Sequence, residues 1–160
     1  MGKVLSLEEA IAWREALAVS GKKLVFSNGH FDLFHVGHLD YLEKARALGD
    51  ALFIGVNDDD STRRLKGPGR PLIPAEERAR LLAALVVVDA VIIFSSDTAD
   101  GLIRQLRPDI YAKGGDYEHK VLPERTTVEA LGGQVVLIPF LPGHSTSDLI
   151  ARIKALAEGE

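Results

Sequence analysis

A chain of 160 residues, 46% hydrophobic and 26% charged, is long enough to bury a core and short enough that one domain is the default. A formal net charge of −4, a pI near 5.7 and the lack of any basic block argue against a protein that grips nucleic acid. No apolar stretch reaches membrane-spanning length, so a cytoplasmic protein without a membrane partner is expected, and the absence of cysteine excludes disulfides, thiolate metal sites and cysteine nucleophiles.

Ser6 and Glu9 have the spacing of a capping box, and Leu7, Ile11, Ala12, Leu17 and Ala18 continue at roughly helical intervals to Gly21, which predicts a first helix. Leu24-Val25-Phe26 reads as a buried strand that empties into a loop at Ser27-Asn28-Gly29. From residue 36 to 48, Leu39, Tyr41, Leu42, Ala45 and Leu48 suit one helical face, with Gly49 as a C-terminal stop. A strand over 51–56 follows, and then a polar stretch over 57–70, containing Gly67-Pro68-Gly69, that reads as a long loop.

Pro74 opens the next helix, with Glu76 and Glu77 suited to its N-terminal dipole and an end before Asp89. Val91-Ile92-Ile93-Phe94 is a further apolar strand, Asp97 or Thr98 is placed to cap a helix running to Leu106, and residues 109–112 supply a short strand. The last strand is expected over 134–138 and the last helix over 145–156, with Leu149, Ile150, Ile153 and Leu156 as its apolar stripe. Uniformly apolar strands alternating with helices predict an α/β fold: one doubly wound, Rossmann-like parallel sheet with helices on both faces. Such sheets bind ligands at the C-terminal ends of their strands.

The first strand-helix junction gathers Asn28, Gly29, His30, Asp32, His35, Gly37 and His38. Free backbone N–H groups and the helix dipole at such a junction attract phosphate, and two imidazoles add directed donors. His35 and His38 project from nearly the same face if both lie in the first turn, and Gly37 between them would admit a bulky ligand. A competing reading makes them mere helix caps. Another takes His30, Asp32, His35, His38 and Asp40 as zinc ligands, since their chemistry suits that ion. Lys66 and Arg70 could hold a phosphate by charge-assisted hydrogen bonds, the glycines of Lys113-Gly114-Gly115-Asp116 permit close approach of a sugar or base, and Ser145-Thr146-Ser147 combines hydroxyls with a helix N-terminus.

The segment Asn28-Gly29-His30-Phe31-Asp32-Leu33-Phe34-His35-Val36-Gly37-His38 closely resembles the signature of the cytidylyltransferase-like nucleotidyltransferases. The resemblance continues through Asn57-Asp58-Asp59, Ser61-Thr62-Arg63-Arg64-Leu65-Lys66-Gly67, Arg70-Pro71, Glu77-Arg78, Lys113-Gly114-Gly115-Asp116-Tyr117 and Ser145-Thr146-Ser147. Within that superfamily the Arg-Leu-Lys-Gly and Lys-Gly-Gly-Asp-Tyr segments look most like the branch that adenylylates D-glycero-D-manno-heptose 1-phosphate to ADP-heptose. The resemblance implies one nucleotidyltransferase domain over 1–160, made of an N-terminal helix (1–21) and a catalytic core (22–160). It also implies ATP with Mg²⁺, a sugar 1-phosphate acceptor, and a separate upstream sugar kinase, since no kinase-sized region is present. A homodimer follows by analogy alone.

The resemblance implies catalytic roles for His35, His38 and Lys66, and a substrate-phosphate role for Lys66 and Arg70. It implies nucleotide contacts from Asn28, Gly29, His30, Phe31, Gly37, Lys113, Gly114, Asp116, Ser145, Thr146 and Ser147, and no resident protein-bound metal. His30 departs from the pattern, where a small residue or cysteine is common. The alternatives are a cytidylyltransferase using CTP and glycerol 3-phosphate, and a non-catalytic nucleotide- or metal-binding regulator.

Overall fold

Strands with no polar face must be covered on both sides, and the chain meets that demand by winding helices around a single sheet. The computed structural model describes residues 2–115 and 121–159. In chain order its elements are β1 (Lys3–Val4), α1 (Leu7–Val19), β2 (Leu24–Gly29), α2 (Val36–Arg46), β3 (Ala51–Asn57), α3 (Asp59–Lys66) and α4 (Ala75–Ala83). They continue with β4 (Ala90–Phe94), α5 (Asp100–Leu106), β5 (Ile110–Gly114), α6 (Arg125–Ala130), β6 (Gln134–Ile138) and α7 (Thr146–Glu158). Among the described residues the six strands are all parallel, in the order β1-β4-β3-β2-β5-β6. The expected doubly wound α/β sheet is therefore present.

Alternation along the strands divides the core in two. Val25, Leu52, Ile54, Val56 and Val91 pack against Leu42 and Ala45 of α2 and Ala79 and Leu82 of α4. Leu24, Phe26, Phe53, Ile92 and Tyr111 face the other way, onto Leu17 of α1, Leu102, Ile103 and Leu106 of α5, and Val128 of α6. The chain first moves outward from β2 through β3 to β4, then returns to place β5 on the other flank of β2. That reversal makes the gap beyond the ends of β2 and β5 the topological switch point, where a doubly wound sheet leaves a crevice.

The capping box at Ser6 forms as expected: its hydroxyl accepts from the Glu9 N–H, and the Glu9 carboxylate accepts from the Ser6 N–H. Other boundaries differ from expectation. The supposed loop over 57–70 contains α3, whose Asp58 N-cap accepts from the Ser61 N–H, with acids in the first turn and Arg63, Arg64 and Lys66 in the last. Those charges complement the helix dipole at both ends.

Helix α2 ends at Arg46, so Gly49 is not its stop. A Cβ at Gly49 would come within 2.8 Å of Val25 Cγ2 and 3.0 Å of the Lys23 carbonyl, which is the physical reason for glycine there. Neither Asp97 nor Thr98 caps α5, which begins at Asp100; Asp97 instead pairs with Arg64, and the Thr98 hydroxyl donates to Asp100. The apolar stripe of α7 exists, but no residue of that helix is buried, and Ile153 and Leu156 are exposed.

Candidate active site

At the switch point the ends of β2 and β5 and the N-termini of α2 and α7 line one cavity of ≈ 750 Å³, a size ordinary for a small-molecule site. Asn28, Gly29, His30, Phe31, His35, Gly37 and His38 line it from the first junction. Lys66 and Arg70 reach it from α3 and the loop beyond, Lys113 and Gly114 from β5, and Ser145, Thr146 and Ser147 from α7. The sequence-predicted residues thus converge from four separate segments. Asp116 lies outside the described residues.

His35 caps α2, its Nδ1 accepting from the Gly37 N–H at 3.1 Å, while His38 Nδ1 accepts from the His35 N–H at 3.2 Å. The histidines therefore are caps, and capping sets their tautomers. With both Nδ1 atoms engaged as acceptors, each neutral ring carries its proton on Nε2 and is a donor there. Their rings stack with centroids 3.9 Å apart, and Phe34 stacks on His38. His35 Nε2 lies 3.4 Å from the Thr146 hydroxyl, which joins the α2 and α7 ends of the cavity.

The cavity wall depends on glycine in two places. A Cβ at Gly37 would meet the His144 carbonyl at 2.7 Å and the His35 ring at 2.9 Å, so the close approach expected of a ligand is made by the protein's own backbone. A Cβ at Gly114 would meet the Phe140 ring at 2.9 Å. Both glycines let the segment before α7 close against the cavity. Ser145 spends its hydroxyl oxygen on the Asp148 N–H as the N-cap of α7, leaving Thr146 and Ser147 as the other hydroxyls of that run. The buried Tyr111 hydroxyl donates to Asn28 Oδ1, which fixes the Asn28 amide with its NH₂ turned away from Tyr111. Lys113 Nζ donates to the Asn28 carbonyl at 3.0 Å.

The five proposed zinc ligands do not converge, and among the described residues no cluster of three or more His, Cys, Asp or Glu side chains is arranged to hold a metal. Asp40 pairs with Lys44. Asp32 is buried and accepts from Arg70 Nε and the Leu72 N–H, each at 2.8 Å, and from the Ile73 N–H at 3.1 Å. Burial alone would raise the Asp32 pKa, but the Leu72 N–H, the Arg70 guanidinium and the Ile73 N–H together hold it below the usual carboxylate value. Asp32 is thus the anchor that sets Arg70 at the cavity. Asp32→Asn is expected to destabilise the protein by about 1–3 kcal/mol through these weakened bonds, measured by urea unfolding; an unchanged midpoint would contradict the anchoring role.

Arg78 was visible in the sequence only as part of a resemblance, yet it is the largest fully buried side chain. Its guanidinium donates to the carbonyls of Ile73, His30 and Asn57 and to Asp59 Oδ1, at 2.6–2.9 Å. One side chain thereby ties together the ends of β2 and β3, the start of α3 and the loop before α4. A signal for it existed: an arginine in the first turns of α4, flanked by Ala75, Ala79 and Leu82, sits on that helix's buried face.

Both His30 and His38 are held at about 4. For His38 the cause is burial and then the His35 ring; for His30 it is burial and then the charges of Lys66, Lys113, Arg78 and Arg70. On acidification the unfolded chain takes up these protons near pH 6.5, before the folded protein does. The stability they contribute is therefore complete above pH 6.5 and is lost as pH falls towards 4, at up to about 1.4 kcal/mol per pH unit for each proton. Urea unfolding at pH 7 and pH 5 measures this loss, and His38→Gln is expected to remove one proton's share of the slope.

Comparison with known proteins places this geometry. A cytidylyltransferase-like family model matches residues 26–152. The chain is 55% identical over 133 residues to the bifunctional protein HldE of Syntrophotalea carbinolica, covering 83% of this chain and 27% of that protein. It is 49% identical over 157 residues to the bifunctional protein HldE of Geobacter sulfurreducens, covering 98% of this chain and 32% of that protein. The chain therefore spans about a third or less of the length of these curated relatives.

Among solved structures, the lipopolysaccharide core biosynthesis protein from Thermoplasma volcanium superposes with a TM-score of 0.63 at 27% identity, over 76% of this chain and 98% of that one. Pantoate-beta-alanine ligase from Francisella tularensis shares the fold, with a TM-score of 0.62 at 12% identity, over 96% of this chain and 77% of that one. A match that spans most of the sequence, including the His35–His38 turn and the hydroxyls before α7, makes this chain a member of the cytidylyltransferase-like family.

Proposed function

We propose that the chain is an adenylyltransferase that moves AMP from ATP to a sugar 1-phosphate, D-glycero-D-manno-heptose 1-phosphate, giving ADP-heptose and pyrophosphate. The observation that carries this reading is the pair of capped histidines, each with Nε2–H as its donor at the lip of a phosphate-attracting helix N-terminus. The identity to HldE proteins and the likeness to a lipopolysaccharide core biosynthesis protein support the sugar acceptor.

In the proposed reaction an oxygen of the sugar phosphate attacks the α-phosphorus of ATP in line, the bond to the bridging oxygen breaks, and pyrophosphate leaves with that electron pair. The nucleophile is already anionic at neutral pH, so no general base and no covalent protein intermediate are required. His35 and His38 donate to the triphosphate, and Thr146 and Ser147 add hydroxyls from α7. Lys66 and Arg70 neutralise the sugar phosphate or the departing pyrophosphate. Asn28, Gly29, Phe31, Gly37, Lys113 and Gly114 shape the nucleotide end.

Mg²⁺ would arrive with ATP, coordinated by phosphate oxygens and water in the manner usual for that ion, and would neutralise charge on the phosphates. We place the reaction in the cytoplasm, downstream of a sugar kinase, in a single domain spanning the chain. The family's cytidylyltransferase character keeps a CTP-dependent reaction on glycerol 3-phosphate as the second reading.

Pyrophosphate release measured with ATP or CTP, against heptose 1-phosphates and glycerol 3-phosphate, tests both. Turnover only with ATP and a heptose 1-phosphate is expected. Turnover with CTP and glycerol 3-phosphate would replace the reading, and silence across the panel would favour a non-catalytic nucleotide-binding role.

A further inference from the structure

His30 is the cavity residue whose Nδ1 faces a side-chain hydroxyl, where the Nδ1 atoms of the two motif histidines accept from backbone N–H groups. Its Nδ1 lies 2.9 Å from Thr62 Oγ1, on the buried face of α3. The Asn57 carbonyl lies 3.5 Å from the same hydroxyl and offers its proton an acceptor, which leaves the Thr62 oxygen open to a His30 Nδ1–H. In that arrangement the neutral His30 ring carries its proton on Nδ1 and has a lone pair on Nε2.

His35 and His38 have the reverse tautomer, with Nε2–H donors. Burial, and then the charges of Lys66, Lys113, Arg78 and Arg70, disfavour a second proton on His30 and keep the ring neutral. A lone pair in such a place cannot bind an ionised phosphate, whose oxygens only accept. It can bind a hydroxyl.

We propose that His30 reads the acceptor sugar: tethered through Nδ1 to Thr62, it accepts on Nε2 a hydrogen bond from a hydroxyl of the sugar whose phosphate is held by Lys66 and Arg70. This rests on the sugar-phosphate reading above. It assigns selectivity for polyhydroxylated acceptors to a residue tethered to α3, the helix that also carries Lys66.

The test exploits the two ring nitrogens separately. His30→Asn retains a polar group near the Nδ1 position and removes Nε2; His30→Gln places an amide near the Nε2 position. In pyrophosphate-release kinetics, His30→Asn is expected to raise KM for the heptose 1-phosphate about tenfold with KM for ATP unchanged, and His30→Gln to recover much of the loss. Against monodeoxy analogues of the sugar phosphate, the His30→Asn penalty should vanish for the one analogue that lacks the contacted hydroxyl. Thr62→Val should reproduce part of the effect and Thr62→Ser should not.

An independent readout is the ¹⁵N spectrum of the His30 ring. It should show Nδ1 protonated in the free enzyme, and Nε2 moving upfield when the sugar phosphate is added with α,β-methylene-ATP. A rise in KM for ATP, relieved with 2′-deoxy-ATP, would make His30 a ribose contact and overturn the proposal. An equal penalty for every deoxy analogue would reduce His30 to a support for Lys66 and overturn it too, as would a free ring protonated on Nε2. Wild-type turnover with normal sugar KM in His30→Asn would sink this inference alone. No wild-type turnover on any sugar phosphate would sink the adenylyl-transfer reading, and this inference with it.

Discussion

Replacing His38 with alanine is expected to lower kcat by about 10²–10³-fold, the usual cost of removing one preorganised donor from a site where negative charge develops. The position is favourable for such a donor. His38 sits between the Phe31 and Phe34 rings and against His35, and burial holds it neutral at ordinary pH. Its Nδ1 is committed to the His35 N–H, so the proton on Nε2 is in place before any ligand arrives.

Alanine removes the donor and also unmakes half of the reciprocal cap, and two further variants separate these effects. His38→Gln presents an amide N–H near the Nε2 position and should recover part of kcat. His38→Asn restores a partner for the His35 N–H but not the donor, and should remain as slow as alanine. Pyrophosphate-release kinetics on folded proteins of matched circular dichroism decide between them. Recovery by asparagine, not by glutamine, would mean that His38 serves the helix cap and leaves phosphate to others.

The first junction was legible in the sequence because its logic is local. The apolar start of β2, the glycine at its end and the two histidines at the start of α2 follow one another in one short stretch of chain, and the cap needs no distant partner. The uniformly apolar strands carried the sheet in the same way. Helix α3 was illegible for an equally physical reason: the residues it buries are Ser61 and Thr62, not hydrophobics, so apolar periodicity had nothing to register. Its end charges and Asp58 cap were the available signal.

Helix α7 shows the opposite failure. The stripe of Leu149, Ile150, Ile153 and Leu156 was read correctly as periodic, but periodicity does not say whether anything covers it, and the helix buries no residue. The roles of Asp32 and His30 depended on contacts that span about thirty to forty positions, to Arg70, Leu72 and Ile73 and to Thr62. Their residue types identified them as candidates; their partners came only with the third dimension.

Arg78 is the extreme of that dependence, and its removal is expected to have the largest effect on stability. Its side chain is wholly buried, and its four hydrogen bonds go to residues 30, 57, 59 and 73. Arg78→Leu would fit among Ala75, Ala79 and Leu82 but would take the guanidinium from the Ile73, His30 and Asn57 carbonyls, of which, among the described residues, only Asn57 has a second donor in the Thr62 hydroxyl, and would leave Asp59 without its cation. At about 1–3 kcal/mol for each buried carbonyl left without a donor, the loss is a large part of the roughly 5–15 kcal/mol that keeps a domain folded.

Arg78→Lys keeps the charge but replaces a planar fork with one point donor, which cannot reach acceptors on four segments at once, so an intermediate loss is expected. Urea unfolding gives both values from the shift in midpoint at constant slope. A loss below about 1 kcal/mol for the leucine variant would show that the carbonyls find other partners. Because two of the four acceptors are the His30 and Asn57 carbonyls, a partly folded lysine variant should also show a raised KM for the sugar phosphate. His30 follows the end of β2 and Lys66 closes α3, and Arg78 ties the end of β2 to the start of that helix.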